Sequence, residues 1–412
     1  MGDKGREISL AIIGLGGRGC GQMQTLLSMP DVRVRAVCDL YEDRVQKGLD
    51  ICEKAQGFVP FSTTDYKEAI SREDVEAVVV MTGWETHTMI ANFSMRAGKR
   101  VAMEVGGASS VEECFSLVQT SDETGVPCML LENCCYNDVE MTLLEMVRKG
   151  VFGEIVHCAG GYLHDLRAGI GKGDTRRHYR LRHFLNRNGE LYPTHELGPI
   201  AKYLNINRGN RMVSLVSMAS KAAGLSEWLK ANRPDSPLCN AKVNQGDIVT
   251  TLIQCANGET IQLTHSCTLP RPYSRGGQIM GTKGIWMEDK RALYIEDDPK
   301  APEEDTYTEE GWTPDEACMA QYKPALWREY ERFGLRGGHG GMDYLCLRAF
   351  VESVQNGTNP PIDVYDAATW MAVTPLSEQS IALGSAPVAF PDFTGGRWLA
   401  RTDKAEGDYA LD

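Results

Sequence analysis

Ser9-Leu10-Ala11-Ile12-Ile13-Gly14-Leu15-Gly16-Gly17-Arg18-Gly19 is the stretch that decides the fold. Leu10–Ile13 is apolar and β-branched enough for a strand buried on both faces. It ends in Gly14-x-Gly16-x-x-Gly19, and a helical stretch is expected from Gln22 to Ser28. Lacking a Cβ, Gly14 makes a tight turn, Gly16 admits a pyrophosphate against the backbone, and Gly19 lets helix pack on strand. Amides at the helix start then face the phosphates. Asp39 lies 20 residues beyond Gly19, closing a second expected strand, Val32–Cys38. A ribose-binding carboxylate belongs there. The reading is a nicotinamide dinucleotide site. Asp39 favours a free 2′-hydroxyl, hence NAD, while Arg44 leaves NADP open.

Downstream, strand and helix alternate. Helix Glu42–Ala55 is followed by strand Ala77–Met81, helix Met89–Ala97, strand Arg100–Glu104, helix Ser110–Thr124 and strand Pro127–Leu131. Such alternation predicts a doubly wound parallel sheet, with Thr82–His87, Glu104–Gly106, Glu132 and Asn133 on one crevice at the strands' carboxyl ends. Past Asn133 the pattern changes. Strands are expected at Glu154–Tyr162, Val213–Ala219, Asp247–Cys255, Thr260–Leu269 and Gly277–Met280, with Asn257-Gly258 as a hairpin turn. Strands in succession predict an α+β domain with an open, largely antiparallel sheet. The expected division is 1–133 for the dinucleotide-binding domain and 134–412 for the second, with helix 366–383 packing back on the first. Asp297–Glu316, acidic and proline-containing, reads as a solvated loop.

Composition narrows the function. A net charge of −13 argues against a nucleic-acid partner. No apolar run nears the roughly 20 residues of a membrane span. Thirteen cysteines with no CxxC pair read as reduced thiols, and neither HExxH nor paired CxxC is present, so no metal is expected. The first strand starts within about ten residues of Met1, so the expectation is a cytoplasmic protein as the chain stands. It becomes an exported, periplasmic one if a signal has been trimmed.

Three further stretches carry possible chemistry. Tyr192-Pro193-Thr194-His195 is expected to open a helix, placing a phenol and an imidazole on one side of a turn; a packed tyrosine and a capping histidine are the plainer alternative. Tyr162-x-His164-Asp165 leaves a strand end. Gly337-Gly338-His339-Gly340-Gly341 centres a histidine among four glycines. It fits either a helix–helix linker capped by Asp343 or a mobile loop that delivers a proton donor.

Taken together, these motifs resemble the glucose–fructose oxidoreductase and inositol dehydrogenase-like family. Its ordinary dehydrogenases carry Glu-Lys-Pro after the fourth strand, where this chain reads Glu104-Val105-Gly106. With Gly161–Arg167, Tyr192–His195, Arg271–Ser274, Gly337–Asp343 and Asp363–Ala368, the departure resembles one branch, glycoside hydrolase family 109. The resemblance covers essentially the whole chain. It implies an α-N-acetylgalactosaminidase acting on glycans with a terminal N-acetylgalactosamine, through tightly bound NAD regenerated each turnover, and pairing of copies through the open sheet. It implies cofactor contacts at Gly14, Gly16, Gly17, Arg18, Gly19, Asp39, Trp84, Glu85, Thr86, His87, Glu104, Val105 and Asn133. Sugar contacts fall on Tyr162, Arg180, Tyr192, His195 and Tyr273. Catalysis falls on His339, His195, Tyr192 and Tyr162. The alternatives are an NAD-dependent sugar dehydrogenase of the same fold and a non-catalytic NAD-binding sensor.

Overall fold

The computed structural model describes residues 5–296, 311–334, 336–401 and 405–411. The chain forms two compact units. The first comprises Met1–Met141, Pro324–Thr369 and Thr402–Asp412; the second comprises Thr142–Lys323 and Trp370–Arg401. No helix among the described residues is long and apolar enough to cross a membrane.

The first unit is built on β1 (Ile8–Ile13), α1 (Gly17–Leu27), β2 (Val32–Cys38), α2 (Glu42–Gln56), β3 (Phe61–Thr63), α3 (Tyr66–Ile70), β4 (Ala77–Val80), α4 (Trp84–Arg96), β5 (Arg100–Met103), α5 (Val111–Thr124) and β6 (Cys128–Leu130). The six strands are parallel in the order β3-β2-β1-β4-β5-β6. This is the doubly wound order, and ligands bind at the carboxyl ends of such strands. The ladder runs one residue past the strands: Gly14 N–H donates to Cys38, Met81 to Ile13, Glu104 to Val80 and Leu131 to Met103, at 2.7–2.9 Å. The residues that follow therefore start from one edge in fixed register. Helix α4 begins at Trp84, not at Met89, so four of the six residues expected as a crevice loop, Trp84–His87, are its first turn. The buried hydrogen bond from His87 to the Thr82 carbonyl supplies the reason, since it folds that turn back on itself.

The second unit's sheet comprises β7 (Ile155–Leu163), β8 (Met212–Ala219), β9 (Val249–Cys255), β10 (Thr260–Ser266), β11 (Gln278–Gly281), β12 (Gly284–Met287), β13 (Ala292–Ile295), β14 (Thr313–Pro314) and β15 (Val388–Ala389). Its order is β14-β13-β12-β11-β7-β10-β9-β8-β15. Every pairing is antiparallel except β7 with β10. The Asn257-Gly258 turn joins β9 to β10, with Gly258 at φ +105°. Asp138–Arg148 forms α6. The polar stretch His164–Gly189 folds as α7 (Arg167–Gly171), α8 (Gly173–Arg176) and α9 (Arg180–Asn186); α10 (Thr194–Tyr203) and α11 (Gly224–Asn232) follow. Tyr192 and Pro193 precede α10 and do not lie within it. Of the loop expected at Asp297–Glu316, residues 297–310 lie outside the described residues. Thr313–Pro314 instead pairs with β13, and α12 (Asp315–Tyr322) starts directly after it.

Three helices complete the chain: α13 (Ala325–Phe333), α14 (Met342–Asn356) and α15 (Val364–Ala382). Within the first unit α14 is held by a buried ion pair, Arg348 Nη1 to Asp31 Oδ1 at 2.7 Å. Gln355 Nε2 donates to the other Asp31 oxygen, also at 2.7 Å. Burial works against the Arg348 charge, yet the Asp31 hydrogen bond and charge hold its pKa above the ordinary value. Asp31→Ala leaves that guanidinium buried without its carboxylate and is expected to destabilise the first unit by about 3–5 kcal/mol. Urea titration checks this; a loss under about 1 kcal/mol contradicts it.

Candidate functional site

The first unit gathers its candidates along the carboxyl edge of the parallel sheet. Gly14 turns the chain at φ +101°, and Gly16 then caps α1 with no side-chain bond and no acid in the first turn. First-turn amides have no intrahelical acceptor, so this end suits an anion such as a pyrophosphate. Asp39 accepts from Leu15 N–H at 2.7 Å with one oxygen and from Tyr41 N–H at 3.1 Å with the other. It thereby clamps the glycine turn to the end of β2 and keeps lone pairs for a ribose. Arg44 Nη1 stands 3.8 Å from Asp39 and stacks over Tyr41. These residues fit a dinucleotide.

Farther along the edge, His87 spends Nε2 on the Thr82 carbonyl at 3.0 Å, and burial pushes its pKa down. Thr86 donates to Thr82 Oγ1 at 2.7 Å, completing the turn. The Trp84 indole lies on Gly106, where a Cβ would stand 2.3 Å from Trp84 Cδ1. Val105 beside it is 2% exposed. Where sugar dehydrogenases of this fold resemblance carry Lys-Pro, this chain thus has a buried aliphatic residue and a bare backbone under an indole. Glu104 accepts from Arg18 Nε at 2.9 Å. Arg18 also donates to both oxygens of Asp343, at 2.8 and 3.0 Å, and Asn133 Nδ2 donates to Asp343 at 2.6 Å. Asn133 opens a 3₁₀ turn, Asn133–Tyr136, capped by the Glu132 carboxylate; all four of its residues are buried. His339 belongs to this group: its Nδ1 lies 2.8 Å from Asp343 Oδ2. Asp343 was expected as a helix cap, but Gly341 holds that position. Its carboxylate is taken up by side chains remote in sequence.

A second group forms in the other unit. β7 delivers Tyr162 near its end, and a short antiparallel bridge between Leu163 and Ser274 (2 bonds, 3.0 and 3.2 Å) brings Tyr273 alongside. The Tyr162 ring centroid lies 4.5 Å from Tyr192, 5.4 Å from His195 and 6.3 Å from Tyr273. Tyr192 and His195 meet edge to face at 4.8 Å, as two residues flanking the start of α10 can. Arg180, first residue of α9, sets its guanidinium 4.9 Å over Tyr192 and 5.6 Å over Tyr162. Tyr273 is 47% exposed, whereas Tyr162 and Tyr192 are buried, so the cluster presents one open aromatic face above a closed floor.

Electrostatics around Arg180 are consistent. Burial lowers the pKa of His265 to about 3 and of His183 to about 4, and Arg180 adds to both. His164 is lowered for the same two reasons. Burial raises Tyr162, which Arg180 partly offsets. The Arg180 cation thus faces neutral imidazoles and phenols, with Arg187 and Arg182 also acting on His183, an arrangement suited to stabilising negative charge that develops nearby. His164 was singled out from sequence beside Tyr162, whereas His265 and Glu190 were not; the register of β7 with β10, which sets His265 opposite Tyr162, is what brings His265 in.

Residues 136–400 match the glycosyl hydrolase 109 C-terminal domain, and residues 8–131 match an oxidoreductase-family NAD-binding Rossmann fold. The chain belongs to glycosyl hydrolase family 109. An α-N-acetylgalactosaminidase from Tannerella forsythia is 37% identical to this family 109 chain, covering 96% of it and 88% of the relative. One from Bacteroides fragilis is 39% identical, covering 95% and 93%. Among solved structures, a levoglucosan dehydrogenase in complex with NADH and levoglucosan superposes with TM-score 0.69 at 18% identity, covering 94% of the family 109 chain and 100% of the other. A myo-inositol 2-dehydrogenase from Lactobacillus plantarum gives 0.65 at 17%, with 94% and 100% covered. These two show the fold.

Glu190, two residues before Tyr192, provides a test of the second unit's interior. Burial raises its pKa from 4.5 to about 8, tempered by the Tyr192 amide. The folded chain then holds a proton that the unfolded chain releases. Its stabilising contribution is full below about pH 4.5 and is lost as pH rises through about 8. Glu190→Gln should therefore gain thermal stability relative to wild type between pH 5 and 8.5. Melting curves that stay parallel across that range contradict the assignment.

Proposed function

We propose that this family 109 chain releases terminal α-N-acetylgalactosamine by oxidation, elimination, water addition and reduction, with no net redox. The observation that carries the reading is the end of β5. Val105 is buried and Gly106 lies under Trp84, so no side-chain amine stands after Glu104 to serve a net dehydrogenation. The names borne by the Tannerella and Bacteroides relatives support the substrate.

The α1 amides, Asp39 and the strand-end residues Thr82 and Glu104 would hold NAD, which when bound would supply a reversible hydride acceptor for C3 of the sugar. The chain's residues do the rest. Tyr192 with His195 takes the proton of the C3 hydroxyl. The resulting C3 ketone acidifies the C2–H bond, and Tyr162 removes that proton, the Arg180 guanidinium partly offsetting the burial that disfavours its phenolate. The C1–O bond then breaks with its electron pair going to the leaving oxygen, which His339 protonates. His339 next takes a proton from water as the water oxygen adds to C1, Tyr162 returns a proton to C2, and Tyr192 with His195 returns a proton to the C3 oxygen as the hydride comes back to C3. Arg180 and Tyr273 hold the ring, Tyr273 with its exposed aromatic face. No pair of carboxylates is needed.

Two experiments test this. Hydrolysis in deuterated water should give product carrying deuterium at C2, with no NADH absorbance accumulating; product bearing only protium there overturns the reading, and NADH rising with sugar consumed indicates a dehydrogenase. In His339→Ala, alkyl glycosides should lose roughly 10²–10⁴-fold in kcat while nitrophenyl glycosides lose far less, because a nitrophenolate leaves without protonation. Equal losses remove His339 from the acid role.

A further inference from the structure

His339 occupies a left-handed backbone conformation, φ +51°, directly before α14. Its side chain is 58% exposed, while that of Asp343, one helical turn on, is 4% exposed. His339 Nδ1 lies 2.8 Å from Asp343 Oδ2 and 3.3 Å from Arg18 Nη1. Two protonation patterns compete for that nitrogen. Without hydrogen, Nδ1 accepts a long bond from Arg18 and turns its lone pair on a carboxylate lone pair at 2.8 Å. With hydrogen, it donates a short charge-assisted bond to the carboxylate. Arg18 gives up little in the second case, because Nη1 donates to Asp343 Oδ2 at 2.8 Å and Nε to Glu104 at 2.9 Å. The second pattern wins on distance and on charge.

We propose that Asp343 is a positioning residue: it keeps a proton on Nδ1 of His339, so that the ring exchanges protons through its outward nitrogen, Nε2. This rests on the assignment of His339 to proton transfer. Asp343 is equipped for the role because it stays ionised. Burial opposes that, but hydrogen bonds from His339 and Arg18, with their charges, outweigh burial and hold its pKa well below the usual carboxylate range. Asn133 Nδ2 adds a further donor at 2.6 Å, and the first turn of α14 favours an anion. Gly338 leaves the carboxylate its space, since a Cβ there would stand 2.7 Å from Oδ2. The groups meeting at the ring therefore come from three segments: Arg18 on α1, Asp343 on α14, and the glycine loop itself.

Nitrogen-15 NMR of the full chain, labelled at histidine, tests the inference without substrate. The His339 signals are assigned by their loss in His339→Gln. Wild type should show the neutral ring protonated at Nδ1 and bare at Nε2. In Asp343→Asn the amide can donate to Nδ1, and the neutral ring should move to the Nε2–H form. Activity toward alkyl glycosides should then fall roughly 10²–10⁴-fold, as expected when an imidazole is held in the wrong tautomer. Adding Asp343→Asn to His339→Ala should change kcat less than about threefold, since a residue acting through another has nothing left to act on. An Nε2–H ring in wild type, an unchanged tautomer in Asp343→Asn, or losses that multiply in the double variant would each overturn the proposal. The wild-type spectrum, assigned with His339→Gln at its exposed position, decides it even where Asp343→Asn fails to fold. It is also independent of whether the chain cleaves glycosides, so the two readings fail separately.

Discussion

A single buried carboxylate satisfies four donors at the start of α14. Arg18 supplies two, Asn133 one and His339 one. An ion pair taken out of water costs several kcal/mol per charge unless geometry and hydrogen bonds repay it. Here they do, and the repayment ties together the glycine turn after β1, the 3₁₀ turn after β6 and the loop before α14. Segments more than 300 residues apart in the chain thus share one electrostatic centre. The sheet edge supplies the frame, since its ladder bonds run past the strands, but Asp343 decides which side chains from that frame are drawn together.

The second unit solves a different problem. Its cation, Arg180, lies over the Tyr162 and Tyr192 rings, and His164, His183 and His265 are held neutral by burial, to which its charge adds. Its charge lowers the energy of an anion wherever one forms beside it, and Tyr273 is more exposed than Tyr162 and Tyr192 beside it.

Much of this was legible in the amino-acid order. Leu10–Gly19, Val32–Asp39 and the strand–helix alternation specify a doubly wound sheet because buried parallel strands are continuous apolar runs and the turn between strand and helix needs glycine. Asn257-Gly258 fixed the β9–β10 hairpin for a similarly local reason. Other features escaped because their causes are not local. Helix α4 starts five residues earlier than its apolar pattern suggests, since His87 and Thr86 bond back to the preceding turn. The polar stretch His164–Gly189 shows no apolar periodicity, yet it folds as three short helices, too short to be stable on propensity alone. Asp343 looks like a cap in sequence; only the folded chain brings Arg18 and Asn133 within reach of it. The short strands β3, β12, β13 and β14 carry too few residues for any periodicity.

The contact between Trp84 and Gly106 has an evolutionary consequence. A fold shared with sugar dehydrogenases invites the idea that one replacement restores a dehydrogenase. Position 106 resists the proline half of such a change, because any residue larger than glycine drives a carbon into a buried indole whose ring cannot swing aside like the tip of a lysine. Reinstating lysine and proline after Glu104 first requires that the tryptophan be surrendered, and surrendering it alone leaves a hole beside the sheet edge. Two residues of opposite size are thereby fitted to one another, and neither can change size alone without a clash or a void.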